Sequence, residues 1–144
     1  MSAIESLIRI HRWQVDERRR HVAELEGLAE KLRQEIMRLG EEHHQEQEAA
    51  AKSPEASQAY PGHVRQMLDR QRILERSLAE AEGQLMQARD AFTAAFQELK
   101  RYEIAAANRE RHRLQQLARR ERTELDAVAV ENFRRRTGST GNEP

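Results

Sequence analysis

His44 and Glu48 stand four residues apart, a spacing that puts an imidazole and a carboxylate on one face of a helix. Such a pair is half of a zinc-type site, which takes three or four protein ligands. His43 does not complete it, because adjacent helical residues point about 100° apart. The pair reads as two polar side chains turned to water. No phosphate-binding loop, GxSxG elbow, HExxH helix or GxGxxG turn occurs, so no residue has a claim to be a nucleophile or a general base. There is no cysteine, which removes disulfides and thiolate ligands. The expectation is a protein with no enzymatic activity, no cofactor, no metal and no small-molecule substrate. The one tryptophan, Trp13, reads as a packing residue at the edge of a helix seam.

Arginine is the residue type whose distribution says most. Lysine occurs only at 31, 52 and 100, so nearly all of the 25 cations are guanidinium groups. The planar guanidinium binds carboxylates in bidentate fashion and tolerates partial burial better than an ammonium does. Residues 9–20 hold five arginines against Asp16 and Glu17, and residues 109–136 hold nine against five acids. Residues 41–58 reverse the sign, with five glutamates and one lysine. The whole chain is nonetheless neutral, 25 basic against 25 acidic, which weighs against a nucleic-acid binder.

These groups need a scaffold, and the composition restricts what it is. Of the 144 residues 38% are hydrophobic and 35% charged, too little apolar surface for a core buried on all sides. Long helices with one thin apolar seam satisfy such a composition, and the order of the residues supports them. Ile8, Val15, Val22, Ala29 and Ile36 recur every seven residues, as do Ile4, His11, Arg18, Leu25, Leu32 and Leu39. This 3-4 alternation is the mark of helices that wrap around a partner helix. A second ladder runs Val64, Met67, Gln71, Leu74, Leu78, Ala81, Leu85, Ala88, Phe92, Ala95, Leu99, Tyr102, Ala106. It resumes after a four-residue stutter as Leu114, Leu117, Glu121, Leu125, Val128.

Between the ladders lies AAAKSPEASQAYPGH, with Pro54, Pro61 and Gly62, which reads as a turn over 52–62. The expected fold is therefore all-α: a two-helix antiparallel coiled-coil hairpin with unequal helices over about 3–51 and 63–136. It occupies one domain, 1–136, and the polar tail 137–144 is expected to be disordered. Facing residues should have numbers adding to about 115, Leu39 lying beside Arg76. The second helix overshoots the first, and roughly residues 112–136 are left without a partner in the chain. Their apolar stripe needs cover from a partner protein, from a second copy, or from the start of the first helix. Folding back also brings both basic segments to one end and the acidic segment to the other. No apolar run of membrane-spanning length and no signal-peptide pattern is present, so a cytoplasmic protein is expected.

The stretch LKRYEIAAANRERHRLQQLARRERTELDAVAVENFRRR and the opening IESLIRIHRWQVDERRRHVAELE resemble the flagellar export protein FliJ family. The C-terminal helix of that family carries an arginine-rich run, a Leu-Asp step and a basic ending. Arg119, Arg120 and Arg122, then Leu125 and Asp126, then Arg134–Arg136, match that pattern here. The resemblance implies a non-enzymatic stalk of the flagellar type III export apparatus, similar in fold to the γ-subunit of rotary ATPases. It implies as partners the hexameric export ATPase, the cytoplasmic domain of the export gate and export chaperones. Nucleic acid is not among them. Membrane association is implied only through the export apparatus, at the cytoplasmic face of the inner membrane. The implied ATPase contact falls on Arg18, Arg19, Arg20, Arg113, Arg119, Arg120, Arg122, Leu125 and Asp126. The implied gate contact falls on Leu39, Glu42, Glu46, Met67, Arg70 and Leu74, where this chain places acids in place of the family's aromatic or amide groups. An injectisome stalk of the YscO type, a generic coiled-coil adaptor and an arginine-rich nucleic-acid binder are the alternatives.

Overall fold

The computed structural model describes residues 2–140 and contains two helices, α1 (Ala3–Lys52) and α2 (Pro54–Thr140). They form two compact bodies: Arg9–Leu99 is one, and the residues up to Ile8 with those from Lys100 onward are the other.

The body Arg9–Leu99 is an antiparallel hairpin made from the two heptad ladders. Val15, Leu25, Ala29, Leu39, Leu74, Ala81, Leu85, Ala88 and Leu99 are buried. Leu25, Leu85 and Ala88 form the central cluster, against which Val22 packs. Alanine recurs in this seam because a thin two-helix core has room for few large side chains between two backbones. All eleven α2 ladder residues from Val64 to Leu99 are buried or half-buried, as are Tyr102 and Ala106 in the second body. In α1 the exception is Arg18, a seam position that stays exposed, as expected where a long cation reaches outward for water.

Midway along the hairpin the register agrees with the expected one, whereas at the turn end His43 meets Tyr60 and His63 and not residues near 72. Arg33 Nη2 meets Glu82 Oε1 at 3.0 Å and Arg89 Nη2 meets Glu26 Oε1 at 3.2 Å, and each pair of numbers adds to 115. Both pairs are about half exposed, so their value lies in choosing the register more than in strength. A double-mutant cycle on Arg33→Ala and Glu82→Ala should give a coupling of ~0.2–1 kcal/mol in urea unfolding. A value several-fold larger would mean that the pair is shielded in solution.

The turn is far tighter than the expected 52–62. Ser53 alone separates the helices, and α2 starts at Pro54 instead of near 63. Ser53 is the N-cap: its Oγ accepts from Ala56 N–H at 3.4 Å and its carbonyl from Ser57 N–H at 3.0 Å. Pro54 takes the first helical position, where a missing N–H costs nothing. Pro61 lies inside the helix and removes one bond to the Ser57 carbonyl, yet the helix passes through it and through Gly62 without a positive φ. The turn holding Pro61 is clamped from α1, because the His43 ring stacks on Tyr60 (centroids 6.1 Å apart) and on His63 (5.9 Å). Ser53→Ala should cost about 1 kcal/mol, read as a lower urea midpoint with an unchanged slope.

In the second body α1 begins with a reciprocal cap: Ser2 Oγ accepts from Glu5 N–H at 3.3 Å, while Ser2 N donates to Glu5 Oε2 at 3.2 Å. At the other terminus the expected tail is partly helical. Residues 137–140 continue α2, with Thr137 Oγ1 donating to the carbonyls of Phe133 and Arg134 at 3.2 and 3.0 Å. Gly138 is of the type that often ends a helix, but here it has no positive φ and the helix continues through it. Residues 141–144 of the expected tail lie outside the described residues. No helix among the described residues is long and apolar enough to cross a membrane.

Candidate partner-binding surfaces

Of the residues expected to bind partners, one group lies on the second body. From 107 to 138 every residue of α2 except Glu131 is exposed, so no described part of the chain folds back onto the stripe. Leu114, Leu117, Leu125 and Val128 are 51%, 45%, 70% and 57% exposed. With about 100° per residue these four and Glu121 share one face of the helix. Arg120 and Arg122 then fall on opposite sides of that face, and Arg119 and Asp126 point away from it. Among the described residues, Arg119, Arg120 and Arg122 make no ion pair.

Arg113 behaves differently. Its Nη2 and Nε donate to Glu110 Oε1 and Oε2 at 2.7 and 3.1 Å, a bidentate pair on one helix. The hydrogen bond from Arg113 holds the Glu110 carboxyl below its ordinary range, and Glu110 raises Arg113 in return. A depressed carboxyl favours the helix above its unfolded pKa, and the benefit fades as pH falls through the lower folded value. Arg134 and Arg135 share Glu131 at 3.4 and 3.5 Å. Among the described residues Arg119, Arg120 and Arg122 thus lie unpaired beside the exposed leucines, as do Arg109 and Arg111 N-terminal to them.

A second group lies on the hairpin body. Arg20 is held by Glu17 at 2.9 Å, and the Arg19 guanidinium sits 5.7 Å from the Phe92 ring centroid on the facing helix. Arg18 and Arg20 line a shallow cleft with Trp13, floored by Ala91, Ala94 and Ala95. Trp13 is 63% exposed, so its ring is a wall of that cleft and not a seam residue. Its exposure could have been read from spacing: two residues before Val15, it points to the opposite side of α1.

The third group surrounds the turn. Leu39 and Leu74 are 7% and 8% exposed and belong to the seam, and Met67 is half-buried. Glu42, Glu46 and Arg70 are exposed, and Glu42 and Arg70 line one cleft with Glu35 and Arg38. His44 Nε2 meets Glu48 Oε1 at 3.1 Å, the expected face-sharing pair. No group of three or more metal-type ligands gathers among the described residues.

A two-helix hairpin of this register, followed by an exposed arginine-rich helix, is the context in which a family match has meaning. Residues 1–138 match the family described as flagellar FliJ protein. The chain belongs to the FliJ family. FliJ proteins are non-catalytic components of the flagellar export apparatus, so this chain is a component of that apparatus. No curated protein and no solved structure matches the chain.

Proposed function

We propose that the protein is a stalk that binds the hexameric flagellar export ATPase and the cytoplasmic domain of the export gate, promoting export of substrates and their chaperones. The observation that carries the ATPase contact is the face Leu114, Leu117, Leu125, Val128, exposed on a helix whose flanking Arg120 and Arg122 have no intramolecular acid. Apolar residues between unpaired guanidinium groups favour a partner surface with an apolar groove and an acidic rim. Arg18, Arg19 and Arg20, on the hairpin body, are proposed ATPase contacts in their own right, with Arg18 the least committed inside the chain. The proposed gate contact uses the exposed Glu42, Glu46 and Arg70 with the edge of Met67, over a seam that Leu39 and Leu74 hold closed. In this reading the protein is cytoplasmic and meets the inner membrane only through its partners.

The test is co-purification of the full chain with its cognate export ATPase, followed by complementation of swimming in a deletion strain. Complex formation that is lost at high salt, together with restored swimming, is expected. A protein that leaves swimming untouched when deleted and fails to retain the ATPase is an adaptor for something else.

A further inference from the structure

The His43 and His63 rings face each other across the turn end of the hairpin, 5.9 Å apart and within 8° of parallel. Tyr60 covers the same His43 ring at 6.1 Å, inclined by 21°. His43 Nδ1 and His63 Nε2 are both buried and have no hydrogen-bond partner. A neutral imidazole tolerates this, because the proton sits on the other nitrogen and only a bare lone pair is buried. A protonated imidazole does not, since each ring then carries a cationic N–H donor pointing where no acceptor exists. Two such rings stacked in parallel also repel each other.

Charged groups of both signs lie around the pair. On α1, Glu42 and His44 adjoin His43, and Glu46 lies one turn further along. His44 is engaged with Glu48, and Glu42 shares its cleft with Arg70 of α2, leaving Glu46 as the carboxylate available to an imidazolium at 43. On α2, Arg65 stands two residues after His63 and Arg70 two turns after it.

We propose that the stacked pair makes the hairpin tip a proton-sensitive clasp, closed while both imidazoles are neutral and opened when both are protonated. The open tip exposes both imidazolium N–H groups to water, whereas the closed tip leaves them without an acceptor. Linkage then makes the closed tip lose stability on acidification, because the open form holds the extra proton. The opening constant rises up to about tenfold per pH unit for the extra proton held by the open form. The clasp is a property of the chain itself and does not depend on the tip meeting the export gate.

Hydrogen–deuterium exchange of the full chain at pH 8.0 and 5.5, corrected for intrinsic rates, reads the opening by segment. Protection of residues 40–66 should fall at least tenfold between the two conditions, with residues 74–99 changing much less. His43→Leu with His63→Leu should abolish the difference, and His44→Gln should leave it intact. Should the double variant lose helicity at pH 8.0, His63→Gln, which cannot take a second proton, should flatten the pH dependence on its own. Equal tip protection at both pH values in the native chain overturns the proposal. So does a pH dependence that survives loss of His63, or one that disappears with His44.

Discussion

Leu85→Pro should unfold the hairpin. Leu85 is 6% exposed and sits with Leu25 and Ala88 at the centre of the seam. Proline there removes the N–H bonded to the Ala81 carbonyl and drives its ring into the preceding turn, a cost of ~3 kcal/mol or more. Loss of the leucine side chain from a packed site adds ~2–5 kcal/mol. Together these rival the whole stability of a small domain, ~5–15 kcal/mol. The expected result is a large loss of helical ellipticity at 222 nm and no cooperative melt above room temperature. Met86, the next residue and 67% exposed, is the control: Met86→Ala should shift stability by less than ~0.5 kcal/mol. An unchanged melt for Leu85→Pro would mean that the two helices do not pair in solution.

The second large effect separates binding from folding. Arg120→Glu with Arg122→Glu should weaken ATPase binding ~10–100-fold or more, since each reversal removes one attraction and adds one repulsion at a desolvated contact. Leu117→Ala with Leu125→Ala should cost a similar factor through lost apolar burial. Neither pair should move the melting curve noticeably, because all four residues are exposed in the free chain. Arg119→Glu provides the internal contrast. Its side chain lies on the far side of the helix from the leucine stripe, so its effect should be the smallest of the three arginines. Titration of the fluorescently labelled chain with the ATPase measures all of these. Equal losses at 119, 120 and 122 would mean that net charge, and not the stripe, drives the association.

Much of this architecture was legible in the residues. The seam from Val22 to Leu39 and from Val64 to Leu99 follows a strict 3-4 alternation, and that period has few solutions besides a helix wrapped on a helix. Register was legible midway along the hairpin, where Arg33 and Glu82 add to the expected 115, but not near the corner, which lies at Ser53 and brings His43 to His63. The turn was harder. Pro54 and Pro61 look alike as letters, yet one starts a helix at no cost and the other sits within it, in a turn where His43 of the facing helix stacks on Tyr60. That ring contact joins residues about twenty positions apart and leaves no local trace. Ser2 and Glu5 do leave one, a serine followed three residues later by a glutamate, and it foretells the cap that forms. Which arginines are free was not legible at all. It depends on whether a carboxylate falls at the right rotamer distance, as Glu110 does for Arg113 and none does for Arg120.

The one-residue corner at Ser53 also orders events in time. Closing the loop between His43 and His63 immobilises a short segment, whereas the Glu26–Arg89 contact closes one of 63 residues and costs ~1 kcal/mol more in chain entropy. Contacts nearest the corner are therefore the least expensive to form first, and each one shortens the loop for the next pair. The chain should close like a zipper drawn from the bend toward its ends. Substitutions near Ser53 would then slow refolding, while those near Val15 and Leu99 would mainly hasten unfolding.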